Sequence, residues 1–243
     1  MATQLIPVFV LLLLFLPLYL IYKPPAWVIS ALQRRYPRVL FHVRLPDARK
    51  VVALTIDDAP SQHTAAILDI LGRANATATF FAIGGQIPDR EADLRAILEG
   101  GHELGNHAMH DEPSVSVPSD RLRDEIARVD GWIDRAHAAV ERPRRGHYFR
   151  PGSGVFSTRI LDVAQAAGSR TILGGIYPHD PFVSYSRINA WHILSGLRPG
   201  AIIICHDRRS WTLPMLRRVV PEMRRRGYEV VTVSQLLEYA GTA

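Results

Sequence analysis

The chain has 243 residues, 47% hydrophobic and 21% charged. That is enough apolar material for one α/β domain of about 200–250 residues with a short appendage, and too much for a disordered or low-complexity chain. The single cysteine, Cys205, excludes an internal disulfide and Cys-rich zinc modules. The net charge of +6 is almost all arginine. The clusters Arg142-Pro143-Arg144-Arg145 and Arg224-Arg225-Arg226 lack the interleaved aromatics that stack on bases, so no nucleic-acid partner is expected.

In chain order, the first element is an uncharged apolar run of 18 residues, Leu5 to Tyr22, about 27 Å long as a helix and close to the thickness of a bilayer core. Tyr19, Tyr22 and Lys23 stand at its end as interfacial anchors do. Pro7 and Pro17 weaken a helix but are tolerated in lipid. A cleaved signal peptide is the competing reading. Against it, no positive charge precedes the run, and Lys23-Pro24-Pro25-Ala26-Trp27 is not a small-x-small cleavage site. Residues 1–22 are therefore expected to be a membrane anchor, 23–48 a juxtamembrane connector and 49–243 the functional domain. The expected location is a single-pass membrane protein, its domain facing a cell wall, the extracellular space or a secretory lumen. Lys23, Arg34, Arg35 and Arg38 after the span argue for the opposite topology, which stays open.

Val51 to Ile56 reads as a buried strand ending in Asp57-Asp58, and Thr64 to Arg73 as a helix. Thr77 to Ile83 is a second strand, Glu91 to Leu98 a helix, and Glu103-Leu104 a short strand leading into Asn106-His107. Asp120 to Val140 is a long amphipathic helix with Ser119 or Asp120 as its cap. Tyr148-Phe149 is a strand, Thr158 to Ala167 a helix closed by Gly168, and Arg170 to Leu173 a strand. A helix over Asn189 to Leu197, a strand over Ala201 to Cys205, a helix over Leu213 to Arg226, a strand over Glu229 to Val233 and a helix over Ser234 to Tyr239 follow. Alternating strands and helices imply a parallel sheet. The polar residues cluster just after strand ends, the rim on which α/β barrels build their active sites.

Five clusters fall on that rim: Asp57-Asp58, His107 to Asp111, Arg150 to Gly154, His179-Asp180 and His206-Asp207. Adjacent carboxylates on a strand point to opposite sides, so one can bind a metal while the other faces a water; a helix cap is the simpler alternative. His107, His110 and Asp111, joined to an Asp from another strand end, supply imidazole and carboxylate ligands that suit zinc with an open position. The glycines after Arg150 allow backbone N–H groups to approach an oxyanion, or merely make a turn. His206 is either a satisfied core histidine or a general acid.

Together these residues resemble the polysaccharide deacetylases with a NodB homology domain, carbohydrate esterase family 4, over about residues 49–238. Thr55-Ile56-Asp57-Asp58-Ala59-Pro60 is similar to the family's T-F-D-D-G-P. Ala78-Thr79-Phe80-Phe81 with Gly84 resembles A-T-F-F-x-x-G, and Gly101 to His107 the lead into its histidine motif. Arg150-Pro151-Gly152-Ser153-Gly154 stands where R-P-P-Y-G is usual, and Ile204-Cys205-His206-Asp207 where L-x-H-D is. The resemblance implies a distorted (β/α) barrel acting as a metal-dependent hydrolase on N-acetyl groups of a chitin- or peptidoglycan-like glycan. It implies Asp57 as general base, Asp58 and His107 as ligands of a divalent metal, Zn²⁺ or Co²⁺, and His206 as general acid. Arg150 would orient Asp57, Asp180 would hold Arg150, the Ser153 N–H would help stabilise the oxyanion, Gly154 would bind substrate beside it, and Ile204 would line the acetyl pocket. A monomer is expected.

The family's second metal histidine lies four residues after the first, where this chain has Asp111; His110 is one residue short. The third ligand is thus Asp111, or His110 after a loop shift. Gly152 and Ser153 replace a proline and an aromatic ring. Two alternatives follow: a deacetylase of a small amide, an O-acetyl ester or a lipid-linked sugar, and an inactive domain that binds a glycan or a partner.

Overall fold

The computed structural model describes residues 15–241, so most of the apolar run from Leu5 lies outside the described residues. What is described of it is a helix, α1 (Phe15–Tyr22), followed by α2 (Ala26–Arg35) at an angle of 70°. The break falls at Pro24-Pro25, where the missing N–H groups and the restricted residue before each ring stop a helix. Among the described residues no single helix is long and apolar enough to cross a membrane, though the bent pair together has the length and composition.

The remaining elements alternate. β1 (Val39–Leu40), β2 (Val51–Ala59), α3 (Thr64–Arg73), β3 (Thr79–Ala82), α4 (Glu91–Glu99) and β4 (Glu103–Asn106) come first. Then follow α5 (Ser119–Ala139), β5 (Tyr148–Phe149), α6 (Thr158–Ala166), β6 (Arg170–Ile172), α7 (Ser186–Gly196), β7 (Ile202–His206), α8 (Thr212–Arg225), β8 (Glu229–Val231) and α9 (Val233–Tyr239). The strands form one parallel sheet in the order β1-β6-β5-β4-β3-β2-β7, with β8 also paired to β2.

The sheet curls until its edges meet without a full ladder. His42 bridges Ala201 in antiparallel sense, and Ile176 bridges Ile203. The close approach needs Gly174, where a Cβ would stand 2.9 Å from the Ile202 carbonyl oxygen. The barrel is therefore distorted where the β1 edge and the segment after β6 meet β7.

β2 shows how the layers arise. All nine residues are buried, as a strand covered on both faces requires. Val52, Leu54 and Ile56 pack outward among residues of α3, α4 and α8. Val51 and Ala53 point into the barrel with Leu40, Phe81, Ile172 and Ile202, and Leu236 of α9 joins them there. On the same alternation Thr55 and Asp57 continue the inward row.

Two expectations need correction. Residues 23–48 are more than a connector: β1 pairs with β6, and Val39, Leu40, Phe41 and Val43 are buried. Neither Ser119 nor Asp120 caps α5, which starts after Pro118 with no side-chain cap. The Ser119 hydroxyl accepts from Arg159 instead, at 3.4 Å.

Candidate active site

The predicted rim forms a cleft of about 540 Å³. Asp57, His107, Asp111, Arg150, Ser153, Gly154, Ile204 and His206 line it, together with Leu173, Tyr177, Phe182 and Arg209. Asp58 and Asp180 lie buried behind this lining.

Asp57 and Asp58 were expected to point to opposite sides of their strand. Asp58 instead has φ 65°, and the β2–β3 register shifts between Ile56 and Ala59. This bulge sets the Asp58 carboxylate among His107, Asp111 and Arg209. Asp58 Oδ1 lies 4.0 Å from His107 Nε2. One ligand atom each from Asp58, His107 and Asp111 falls within 4.8 Å of the others.

The ring of His107 is fixed from behind. Its Nδ1 is 2.7 Å from the Arg150 carbonyl, which can only accept, so Nδ1 carries the hydrogen and Nε2 turns a lone pair toward Asp58. Asn106 shapes the turn that follows: its Oδ1 accepts from the Ala108 N–H and its Nδ2 donates to the Ile126 carbonyl. Ala108, at φ 59°, swings the chain so that Asp111 returns to the cluster. His110 does not join it and is solvent-exposed; a Cβ on Gly85 would lie 3.4 Å from its Nδ1.

The cluster fits a cation. Asp58 Oδ1 is buried with no hydrogen-bond partner, and burial, only partly offset by His107 and His206, raises the Asp58 pKa. Two carboxylates and an imidazole lone pair are a hard-to-borderline donor set suited to Zn²⁺ and its neighbours. Arg209, which the sequence reading missed, reaches within 3.5 Å of Asp58 Oδ2 and partly offsets the extra negative charge of Asp111. Its only signal in the sequence is its place three residues after His206.

Arg150 is 2% exposed and fully engaged. It donates to Asp57 Oδ1, to Thr55 Oγ1 at 2.7 Å, and to the Ile172 and Leu173 carbonyls at 3.2 and 2.7 Å. Its guanidinium lies 4.1 Å from the Phe81 ring centroid. Burial lowers its pKa and Asp57 opposes that fall; Nη1 holds one oxygen of Asp57, while Nε and Nη2 are fixed on the two carbonyls.

Asp180 does not hold Arg150, contrary to expectation. Its Oδ1 is 2.9 Å from His206 Nδ1 and its Oδ2 accepts the His206 N–H at 2.8 Å. The reason is topological: the loop carrying Asp180 lies against the end of β7, whereas Arg150 is already saturated by β2 and β6. Nε2 of His206 then faces Asp57 Oδ2 at 3.9 Å. Burial pulls the His206 pKa down, but the charge and hydrogen bond of Asp180, with Asp57 and Asp58, outweigh it and raise it to about 9. Asp207, next along, is structural: it accepts from Ser61 Oγ and Thr64 Oγ1, both at 2.6 Å.

Ser153 sits at φ 61° in a short turn beside Gly154 on the cleft wall. Gly152 is required there, because a Cβ would meet the Glu112 carbonyl oxygen at 2.1 Å. Ile204 packs against Gly174 across the opposite wall.

An inward carboxylate, a histidine held by its own carboxylate and a cluster able to hold a cation thus stand together on the rim of a parallel barrel. The sequence profile of the family described as polysaccharide deacetylase matches residues 44–172. A peptidoglycan-N-acetylglucosamine deacetylase of Bacillus cereus is 32% identical over 80% of this chain and 92% of its own length. A chitooligosaccharide deacetylase of Rhizobium leguminosarum bv. trifolii is 30% identical over 76% of this chain and 90% of its own. Among solved structures, a CE4 family pseudoenzyme of Bacillus anthracis superimposes with a TM-score of 0.72 at 25% identity, covering 82% of this chain and 68% of that one. The chain belongs to the polysaccharide deacetylase family, hydrolases that act on carbon–nitrogen amide bonds.

Proposed function

We propose that this protein removes N-acetyl groups from an amino-sugar glycan of the chitooligosaccharide or peptidoglycan kind, releasing acetate and a free amine. One observation carries the reading: Asp57 lies between the Asp58–His107–Asp111 cluster and His206, so base, acid and cation ligands meet at one cleft. Residues 1–22 attach the protein to a membrane in this reading.

Asp58, His107 and Asp111 would hold a divalent cation, Zn²⁺ or Co²⁺ by donor type. When bound, it supplies Lewis acidity and makes water more acidic near neutral pH. Asp57 takes the proton of the attacking water on Oδ2, since Arg150 occupies Oδ1. The new bond joins the water oxygen to the acetyl carbon while the C–N bond breaks. His206 gives the Nε2 proton to the leaving nitrogen, and Asp180 keeps Nδ1 protonated so that Nε2 stays the cleft-facing atom. The Ser153 N–H offers a donor toward the oxyanion, and Ile204 with Leu173 provides an apolar wall for the methyl group.

The test is metal content and acetate release measured together on the full chain with N-acetylated chitooligosaccharides. The expected result is one bound cation and acetate release, both lost in Asp111→Ala and both kept in His110→Ala. Asp57→Asn should keep the metal and lose about 10²–10⁴ in rate, the usual contribution of a positioned base. A metal-loaded protein that binds glycan yet frees no acetate would overturn the catalytic reading and leave a binding domain.

A further inference from the structure

α7 is apolar on two faces. Ala190 and Ile193 pack into the molecule, whereas Tyr185, Ile188 and Trp191, three residues apart, form an outward strip with exposures of 70%, 44% and 54%. At the front of the strip Phe182, 84% exposed, lies on the mouth of the cleft. Large apolar side chains exposed singly are ordinary; a continuous strip beside an active site marks a contact surface.

The strip joins the N-terminal segment. Lys23 Nζ donates to Ser195 Oγ at 2.5 Å and lies 4.2 Å over the Trp191 ring. The Tyr22 carbonyl accepts from His179 Nε2 at 2.8 Å, and the two rings stack at 4.9 Å. The end of the uncharged run from Leu5 is therefore clamped to α7 and to the loop that leads from Phe182 back to Asp180.

Charge selects the occupant. No Asp or Glu occurs in residues 1–46, nor in residues 181–206, while Lys23, Arg34, Arg35, Arg187 and Arg198 all do. The two segments thus carry no carboxylate in a chain with 23 acidic residues, and of their cations Lys23 lies on the Trp191 ring and Arg187 is exposed on α7. Two such faces would repel, which disfavours a second copy. Tyr, Trp and Phe with flanking Lys and Arg are the residues that settle at a bilayer's headgroup boundary.

We propose that the α7 strip and Phe182 form an interfacial surface that seats on an anionic phospholipid bilayer and holds the cleft mouth at headgroup level. This surface adjoins the end of the N-terminal run but is made by other residues, and it limits the sugars within reach to those held close to the membrane. That consequence for substrate rests on the deacetylase reading; the surface itself does not.

The test places a nitrobenzoxadiazole label on Tyr185→Cys, Ile188→Cys and, as a control on the exposed face of α5, Asp124→Cys in the full chain. The native Cys205 is fully buried and does not compete for label. The proteins are bound to phosphatidylcholine vesicles with and without phosphatidylglycerol, containing a doxyl-labelled lipid. A label seated about 5–10 Å into the headgroup–acyl boundary shifts its emission to the blue and is quenched. The expected result is quenching at 185 and 188, deeper with phosphatidylglycerol, and an aqueous spectrum at 124. Aqueous spectra at 185 and 188 on protein that still floats with the vesicles would overturn the proposal, leaving attachment to the N-terminal run alone. A blue shift without doxyl quenching that fades as protein is diluted would also overturn it, in favour of a second copy. Acetate release is not read, so either failure leaves the deacetylase reading standing.

Discussion

Asp180 is the residue whose role changed most between sequence and structure, and it carries a pH prediction. A general acid works while protonated, so the rate falls as pH rises through its pKa. With Asp180 present, His206 keeps its proton to about pH 9. In Asp180→Asn the largest raising influence is gone and burial acts with less opposition. The alkaline limb of the rate profile should then move down by roughly one pH unit or more. A bound dication lowers both values, yet the difference between the two enzymes persists. An alkaline limb that stays in place would show that His206 does not donate the proton. The choice between His110 and Asp111 belongs to the same scale. Counting residues along the chain leaves both within reach, and the left-handed Ala108 brings Asp111 into the cluster.

At the scale of elements, β2 was legible because burial on both faces demands an apolar run and carboxylates cannot continue it. The inward row Val51, Ala53, Thr55, Asp57 follows from the two-residue period. The position of Asp58 does not, because a bulge depends on the partner strand. The turn after β5 has the same character. Gly152 packs on the Glu112 carbonyl, and its N–H donates to Ser114 Oγ at 2.8 Å. Gly152→Ala should therefore cost about 1–3 kcal/mol, as overpacking does, and should lower activity further by displacing Ser153. Chemical denaturation and acetate release on the same variant check this; unchanged stability would mean that the 112–114 loop yields freely.

At the scale of the whole molecule, a cation held by the cluster would link metal binding to folding. The cluster draws on the ends of β2 and β4 and on the loop beyond, which are together only when the barrel is formed. A cation that binds the folded chain alone, at a hundredfold over its Kd, adds ~2.7 kcal/mol. For a domain of this size that raises the unfolding midpoint by about 5–10 °C. Calorimetry with added Zn²⁺ or Co²⁺ should show this rise in the native protein and not in Asp111→Ala. An equal rise in both would place the bound ion elsewhere.

What the sequence by itself determined is the order of strands and helices, the parallel sheet, the rim on which the polar clusters fall, and the family to which five short motifs point. These are properties of local hydrophobic period and of residue type at a strand end, and both are written in consecutive residues. Only the tertiary structure decided that β1 belongs to the sheet, that Asp180 bonds to His206, that Asp111 lies with Asp58 and His107, and that Arg209 stands beside Asp58. Each of these is a contact between segments far apart in the chain. Such contacts are set by how strands curl and where a left-handed residue turns the backbone, and no spacing along the sequence contains that information.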